Sequence, residues 1–124
     1  MKRLPKTGTF IAYKKVYSVR TGEHLVAKLS IPASAKRVRG VFSEGKCRAS
    51  KAKCLALYDY TYDSGGYKLI KKLAKLKTAT ASHDESFRYR VGRMAYPHAF
   101  DSNRQKVCSA GIHFFLTFHE AASW

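Results

Sequence analysis

The chain has 124 residues, 45% of them hydrophobic and 13% aromatic, which argues for one folded domain with a modest core and against disorder. Twenty-four Lys and Arg against eight Asp and Glu leave a formal charge of +16. Self-repulsion of that size weakens a compact state, so it points to an anionic partner. No apolar run approaches the roughly 18 residues needed to span a bilayer, and Met1-Lys-Arg-Leu-Pro leads into polar residues without the apolar stretch of a secretory signal. A cytoplasmic protein with no membrane association is expected.

In chain order, residues 1–7 are a basic, Pro-containing lead-in expected to be loose. Residues 9–17 (TFIAYKKVY) read as a strand, with Ile11, Tyr13, Lys15 and Tyr17 on one face and Phe10, Ala12, Lys14 and Val16 on the other. Arg20-Thr-Gly-Glu is a turn. Residues 24–31 (HLVAKLSI) alternate most cleanly, with Leu25, Ala27, Leu29 and Ile31 turned one way, and Pro32 stops the run. The two strands are expected to form a hairpin. Residues 33–53 then set seven cations (Lys36, Arg37, Arg39, Lys46, Arg48, Lys51 and Lys53) against Glu44 alone. Gly40, Gly45 and the serines there mark turns between short extended pieces. Residues 54–62 (CLALYDYTY) read as a third strand, closed by Asp63-Ser-Gly-Gly.

Residues 67–77 (YKLIKKLAKLK) change to a helical period, with Leu69, Ile70, Leu73 and Leu76 on one stripe and Lys68, Lys71, Lys72 and Lys75 largely opposite. A basic amphipathic helix is expected, docked on the sheet because so short a helix is marginal alone. Residues 78–85 read as a mobile polar connector. Residues 86–94 return to strand, with Phe87, Tyr89 and Val91 inward and Arg88 and Arg90 outward. The most apolar stretch is 107–122 (VCSAGIHFFLTFHEAA). It reads as a central strand buried on both faces over 111–118, entered at Gly111. Thr117-x-x-Glu120 is a capping box that starts a helix over 118–123. The fold expected is α+β: one compact domain, mostly antiparallel β-sheet, with one or two short helices.

Several strings resemble a known family. They are Phe87-Arg-Tyr-Arg-Val-Gly, Phe100-Asp101-Ser-Asn103-Arg104 after Pro97, and Cys108-Ser-Ala-Gly111-Ile-His113-Phe-Phe-Leu-Thr117 followed by Glu120-Ala121. Tyr13-Lys-Lys-Val16, Ala27-Lys-Leu-Ser-Ile-Pro32, Ala35-Lys-Arg37 and Lys46-Cys-Arg-Ala-Ser-Lys51-Ala extend the match over most of the chain. Together they are similar to a small uncharacterised domain of large DNA viruses and bacteriophages, often found beside pentapeptide repeats. The resemblance implies a viral or phage origin and a compact α+β domain, and it brings no activity. The lysine-rich 67–77 departs from the family pattern and reads as a local addition.

Function therefore rests on the residues. The basic surface leads: Arg48, Lys51, Lys71, Lys72, Lys75, Arg88 and Arg90 are the expected contacts to nucleic acid, DNA or RNA. About six phosphate contacts give a slope of log K against log salt of about −5 on duplex DNA. The expected protein is non-enzymatic. A phage inhibitor that engages a host nucleic-acid-acting or defence protein is the rival reading, and a pocket for an anionic nucleotide is the third. Tyr58, Tyr60 and Tyr62 read as the inner face of a sheet more readily than as a base-stacking platform.

Cys108 and His113 suggest a nucleophile or a metal ligand, but no third orienting group accompanies them, and an apolar strand more often holds a hydrogen-bonded core histidine. Cys47-x6-Cys54 is wider than zinc-ligand spacing. Three cysteines suit a reducing compartment. The acids are scattered, with Glu120 engaged in the cap and Asp101 in a turn, and Gly65-Gly66 before Lys68 lacks the phosphate-loop pattern. No metal and no cofactor are expected, and nothing in the sequence indicates an oligomeric state.

Overall fold

The hairpin read from residues 9–31 is the root of the larger sheet. Phe10–Ser18 (β1) and Glu23–Ile31 (β2) pair antiparallel, in register from Phe10 opposite Ile31 to Ser18 opposite Glu23. The computed structural model describes residues 2–41, 45–82, 84–106 and 109–124, with the backbone alone at Asp63, Leu69, Ile70 and Lys71. Short strands Arg37–Arg39 (β3) and Cys47–Ala49 (β4) follow from the basic run, then Ala52–Asp63 (β5), Gly66–Lys72 (β6), Thr78–Ala81 (β7), Asp84–Arg90 (β8), Met94–Ala95 (β9) and Ile112–Phe114 (β10). One helix, Phe118–Ser123 (α1), follows the last strand.

Every described strand pair is antiparallel. The larger sheet runs β6-β5-β2-β1-β7-β8, and β9 pairs with β5; the smaller runs β10-β4-β3. Only three residues separate β8 from β9, so the chain leaving the last strand comes straight back to β5. Gly92 N–H donates to Cys54 O at 2.7 Å and Cys54 N–H to Arg93 O at 3.1 Å. The larger sheet therefore curls round an interior built from Val16, Leu25, Ala27, Leu29, Cys54, Leu57, Ala79 and Tyr89, all buried. With one short helix and ten strands among the described residues, the fold is nearer all-β than α+β.

Two expected elements are replaced. Residues 67–77 form no helix: Gly66–Lys72 is β6, paired along β5 from Asp63 opposite Gly66 to Tyr58 opposite Lys72. Gly66 at φ +99° completes the turn from Asp63, where an L side chain is strained. The Tyr67 ring meets Tyr62 at 4.9 Å and Tyr60 at 6.0 Å. A long β5 edge offers backbone partners along its length, whereas a helix of that size must nucleate alone. Residues 78–81, read within a mobile connector, are β7, an interior strand between β1 and β8. Ala79 and Thr80 are buried there, and the Thr80 hydroxyl donates to Tyr17 O at 3.4 Å.

The lead-in is also held. Leu4 packs on the core, and the Arg37 guanidinium donates to Gly8 O at 2.7 Å while stacking on the Phe10 ring.

The apolar C-terminal stretch joins the two sheets, although β10 is an edge strand of the smaller one rather than a central strand. Ile112, His113 and Phe114 pair with Ala49, Arg48 and Cys47. At the next residue the partner changes: Phe115 and Tyr13 exchange two backbone hydrogen bonds, both 2.8 Å. Phe114 packs on Phe10, while Phe115 joins Val26, Ala121 and Ala122 under α1. The capping box forms as expected at its core. Thr117 Oγ1 accepts from Glu120 N–H at 3.2 Å, and the Thr117 hydroxyl donates to Glu120 Oε1 at 2.8 Å.

Gly111 enters this junction at φ +138°, and a Cβ there would lie 3.2 Å from both Arg48 Cβ and Phe100 Cδ1. Gly111→Ala combines left-hand strain with a crowded contact. It is expected to lower stability by about 2 kcal/mol or more, read as a lower urea midpoint at unchanged m.

Candidate nucleic-acid interface

The outward arginines of β8 are where the sequence places them. Arg88 and Arg90 are exposed, two residues apart on the outer face and about 6.7 Å apart along the strand, while Tyr89 between them is buried in the interior. The chain then turns through Val91, Gly92 and Arg93, with Arg93 N–H donating to Arg90 O at 2.9 Å. Arg93 is exposed and sits against β5, where Lys53 lies opposite Met94. On the other side of the turn, Val91 N–H donates to Lys77 O at 2.8 Å. The curl of the sheet thus gathers exposed Lys53, Lys77, Arg88, Arg90 and Arg93 around one turn, with Lys51 half-buried beside them. Residues 49–58 and 86–100 contain no Asp or Glu, and the nearest acids in sequence are Asp59 of β5 and exposed Asp84 and Glu85 at the start of β8.

The remaining expected contacts divide. Lys75 is exposed in the segment that leads to Lys77. Lys72 is exposed too, but both line a shallow groove with Glu23 and Asp59, so acids dilute the charge there. The Lys71 side chain lies outside the described residues, as does Cys108.

Arg48 is a correction. It is 1% exposed, and its guanidinium is engaged with the loop before β10: Nε donates to Asp101 O at 3.1 Å, Nη1 to Lys106 O at 2.8 Å and Nη2 to Asn103 O at 2.7 Å. Planar donors in a fixed fork suit several carbonyls at once, so Arg48 fastens a loop and cannot reach a phosphate. Asp101 completes the fastening. Its carboxylate accepts from Ser109 Oγ at 2.6 Å, Asn103 N–H at 2.8 Å and Lys106 Nζ at 3.2 Å, and these bonds hold its pKa down to about 2.

The tyrosine row takes neither simple form. Tyr60 is half-buried against the Phe118 ring, whereas Tyr62 is 70% exposed with its ring on Tyr67. Tyr62 is thus a flat surface open to a base. Lys53, Lys77 and Arg93 went unselected in the sequence because their proximity depends on β9 returning to β5, which a two-residue strand does not announce.

The cysteine and histidine chemistry is inert where it is described. Burial pushes the Cys54 thiol up to about 11 and also raises Cys47, so neither is a ready thiolate. His113 Nε2 donates to Ser109 O at 2.6 Å, and burial holds its pKa down to about 4, with Lys14, Lys46 and Arg48 adding to the lowering. Among the described residues, no three His, Cys, Asp or Glu are gathered to hold a metal. No described helix is long and apolar enough to cross a membrane.

These features define a β-rich domain with a cation-lined turn. The chain belongs to the family of unknown function DUF5758, whose family model matches residues 1–121. No curated protein and no solved structure matches it.

Two outcomes are expected. Arg48→Met leaves three carbonyls short of a donor and should cost about 3 kcal/mol or more in a denaturant titration. For His113 the folded pKa lies below the ordinary value of about 6.5, so its contribution is complete above that pH and is lost as pH falls toward 4. His113→Gln should flatten that limb of a stability–pH profile.

Proposed function

We propose that this protein is a small, non-enzymatic nucleic-acid-binding protein of a virus or phage, acting in the host cytoplasm by gripping the phosphate backbone with little sequence readout. The observation that carries the reading is the convergence of Lys53, Lys77, Arg88, Arg90 and Arg93 around the 91–93 turn, with Asp59 of β5 and Asp84 and Glu85 of β8 lying further along those strands. The charge balance supports it. If all eight acids were paired one to one, sixteen of the twenty-four Lys and Arg would still lack a carboxylate. Cations carried on a folded strand and turn displace counterions from a polyanion without the backbone that bears them having to be ordered on binding. Exposed Tyr62 adds a ring on which an unpaired base stacks. The viral setting rests on the resemblance of the Cys108–Thr117 string to the virus and phage domain.

The test is fluorescence titration of a labelled DNA duplex and an RNA single strand across a salt series. The expected log–log slope on duplex is about −5. Arg88→Ser/Arg90→Ser/Arg93→Ser should reduce its magnitude by about 3, one for each phosphate that is no longer neutralised, with the thermal midpoint preserved. Affinity that does not change with salt, or a triple variant that binds like the parent, overturns the reading.

A further inference from the structure

The inward face of β1 carries a lysine where the core pattern calls for an apolar residue. Lys14 stands two residues from Ala12 and two from Val16, both fully buried, so its Cβ points the same way as theirs. One edge of β1 changes neighbour at that point. Tyr13 is bonded to Phe115, whereas Val16 and Tyr17 pair with Ala81 and Thr80 of β7. Between those contacts no described strand lies along that edge at Lys14 and Lys15, and the Ser82 hydroxyl donates to Lys15 O at 3.3 Å instead. A cavity of about 420 Å³ opens there, within the range of small-molecule sites.

Aromatic rings dominate its walls. Phe87 and Tyr89, with ring centroids 5.2 Å apart, line it together with Phe115 and Trp124, 5.4 Å apart. Exposed His98 and Ala99 stand at its mouth. Lys14 reaches into this lining. Its Nζ sits 5.9 Å from the Tyr89 ring centroid and donates to His113 O at 2.9 Å, and both of those residues belong to the wall. Among the described residues no carboxylate is ion-paired with Lys14, and the one acid in the described lining, Asp84, is exposed at the rim. Burial first, and then the Lys46 charge, hold the Lys14 pKa down to about 8. The other basic groups of the wall are placed elsewhere: Lys15 Nζ on the Trp124 backbone oxygen at 3.2 Å, Lys46 Nζ over the Trp124 ring at 4.5 Å, and His113 neutral at pH 7.

A lysine turned into an aromatic wall and held by a single backbone carbonyl, with no carboxylate to fix its charge, keeps a share of free amine near neutral pH. The free amine is the nucleophile that adds to a carbonyl carbon. The rings beside it suit a flat, apolar group attached to that carbon. We infer that Lys14 is a nucleophilic amine and that the cavity captures a small aromatic aldehyde, held as an imine on Lys14 Nζ with its ring beside Phe87 and Tyr89. The nitrogen lone pair adds to the aldehyde carbon and the C=O π pair moves to oxygen. The carbinolamine then loses that oxygen as water together with the two amine hydrogens, and a C=N bond replaces the C=O bond. Nothing is oxidised or reduced, and water reverses the step. The site stands even if the outer surface binds no nucleic acid.

Trapping with benzaldehyde and cyanoborohydride at pH 7, followed by peptide mapping, tests it. The added hydride turns the imine into a stable secondary amine that mass spectrometry locates. Lys14 should be labelled about tenfold or more faster than any other lysine, because an amine with the ordinary pKa of about 10.4 is almost wholly protonated at that pH. With acetaldehyde, which has no ring to bury, the preference for Lys14 over exposed lysines should fall by about tenfold. Ala99→Trp, at an exposed lining residue, should block the cavity and bring Lys14 down to the rate of the exposed lysines. The two aldehyde arms use the unaltered chain, so they decide the matter even if that variant fails to fold. The inference is overturned if Lys14 is labelled no faster than the other lysines, if acetaldehyde shows the same preference as benzaldehyde, or if a folded Ala99→Trp is labelled like the parent.

Discussion

Two backbone hydrogen bonds between Tyr13 and Phe115 hold the architecture together. The smaller sheet has three short strands and cannot bury its own faces, so it is stable only against the larger one. The junction is made where the chain passes from β10 to α1. Ile112 to Phe114 belong to the small sheet, Phe115 is bonded to β1, and Thr117 begins the helix that covers the outer side of β1 and β2. Gly111 and Arg48 serve that junction, one by letting the backbone turn without a Cβ and the other by fastening residues 101–106 beside it. The same junction leaves β1 without a described strand partner at Lys14 and Lys15, where the Ser82 hydroxyl donates to Lys15 O at 3.3 Å instead.

The high positive charge is divided among three kinds of work. Arg37 and Arg48 are consumed by carbonyls and hold loops to the core. Lys14 and Lys46 are turned inward, next to aromatic rings. Lys53, Lys77, Arg88, Arg90 and Arg93 stay outside, around one turn. A guanidinium offers five donors in a plane and can engage several carbonyls at once, as Arg37 and Arg48 do.

Local sequence signals determined the β1–β2 hairpin, the cap and extent of α1, and the in-and-out order of Phe87 to Arg90. Each depends on a period of two or on a cap four residues long, and neighbours in sequence suffice to specify those. Tertiary structure alone decided the rest. Residues 67–72 fit either a helical stripe or a strand, and the open edge of β5 selected strand because it supplied backbone partners that an isolated helix lacks. Thr78 to Ala81 looked too small and polar for an interior strand until β1 and β8 flanked it. Arg48 reads like any residue of a basic run, and only the loop 53 to 58 positions further on reveals that its donors are already taken. The approach of Arg93 to β5 beside Lys53 arises from the pairing of β9 with β5, which composition and periodicity do not encode.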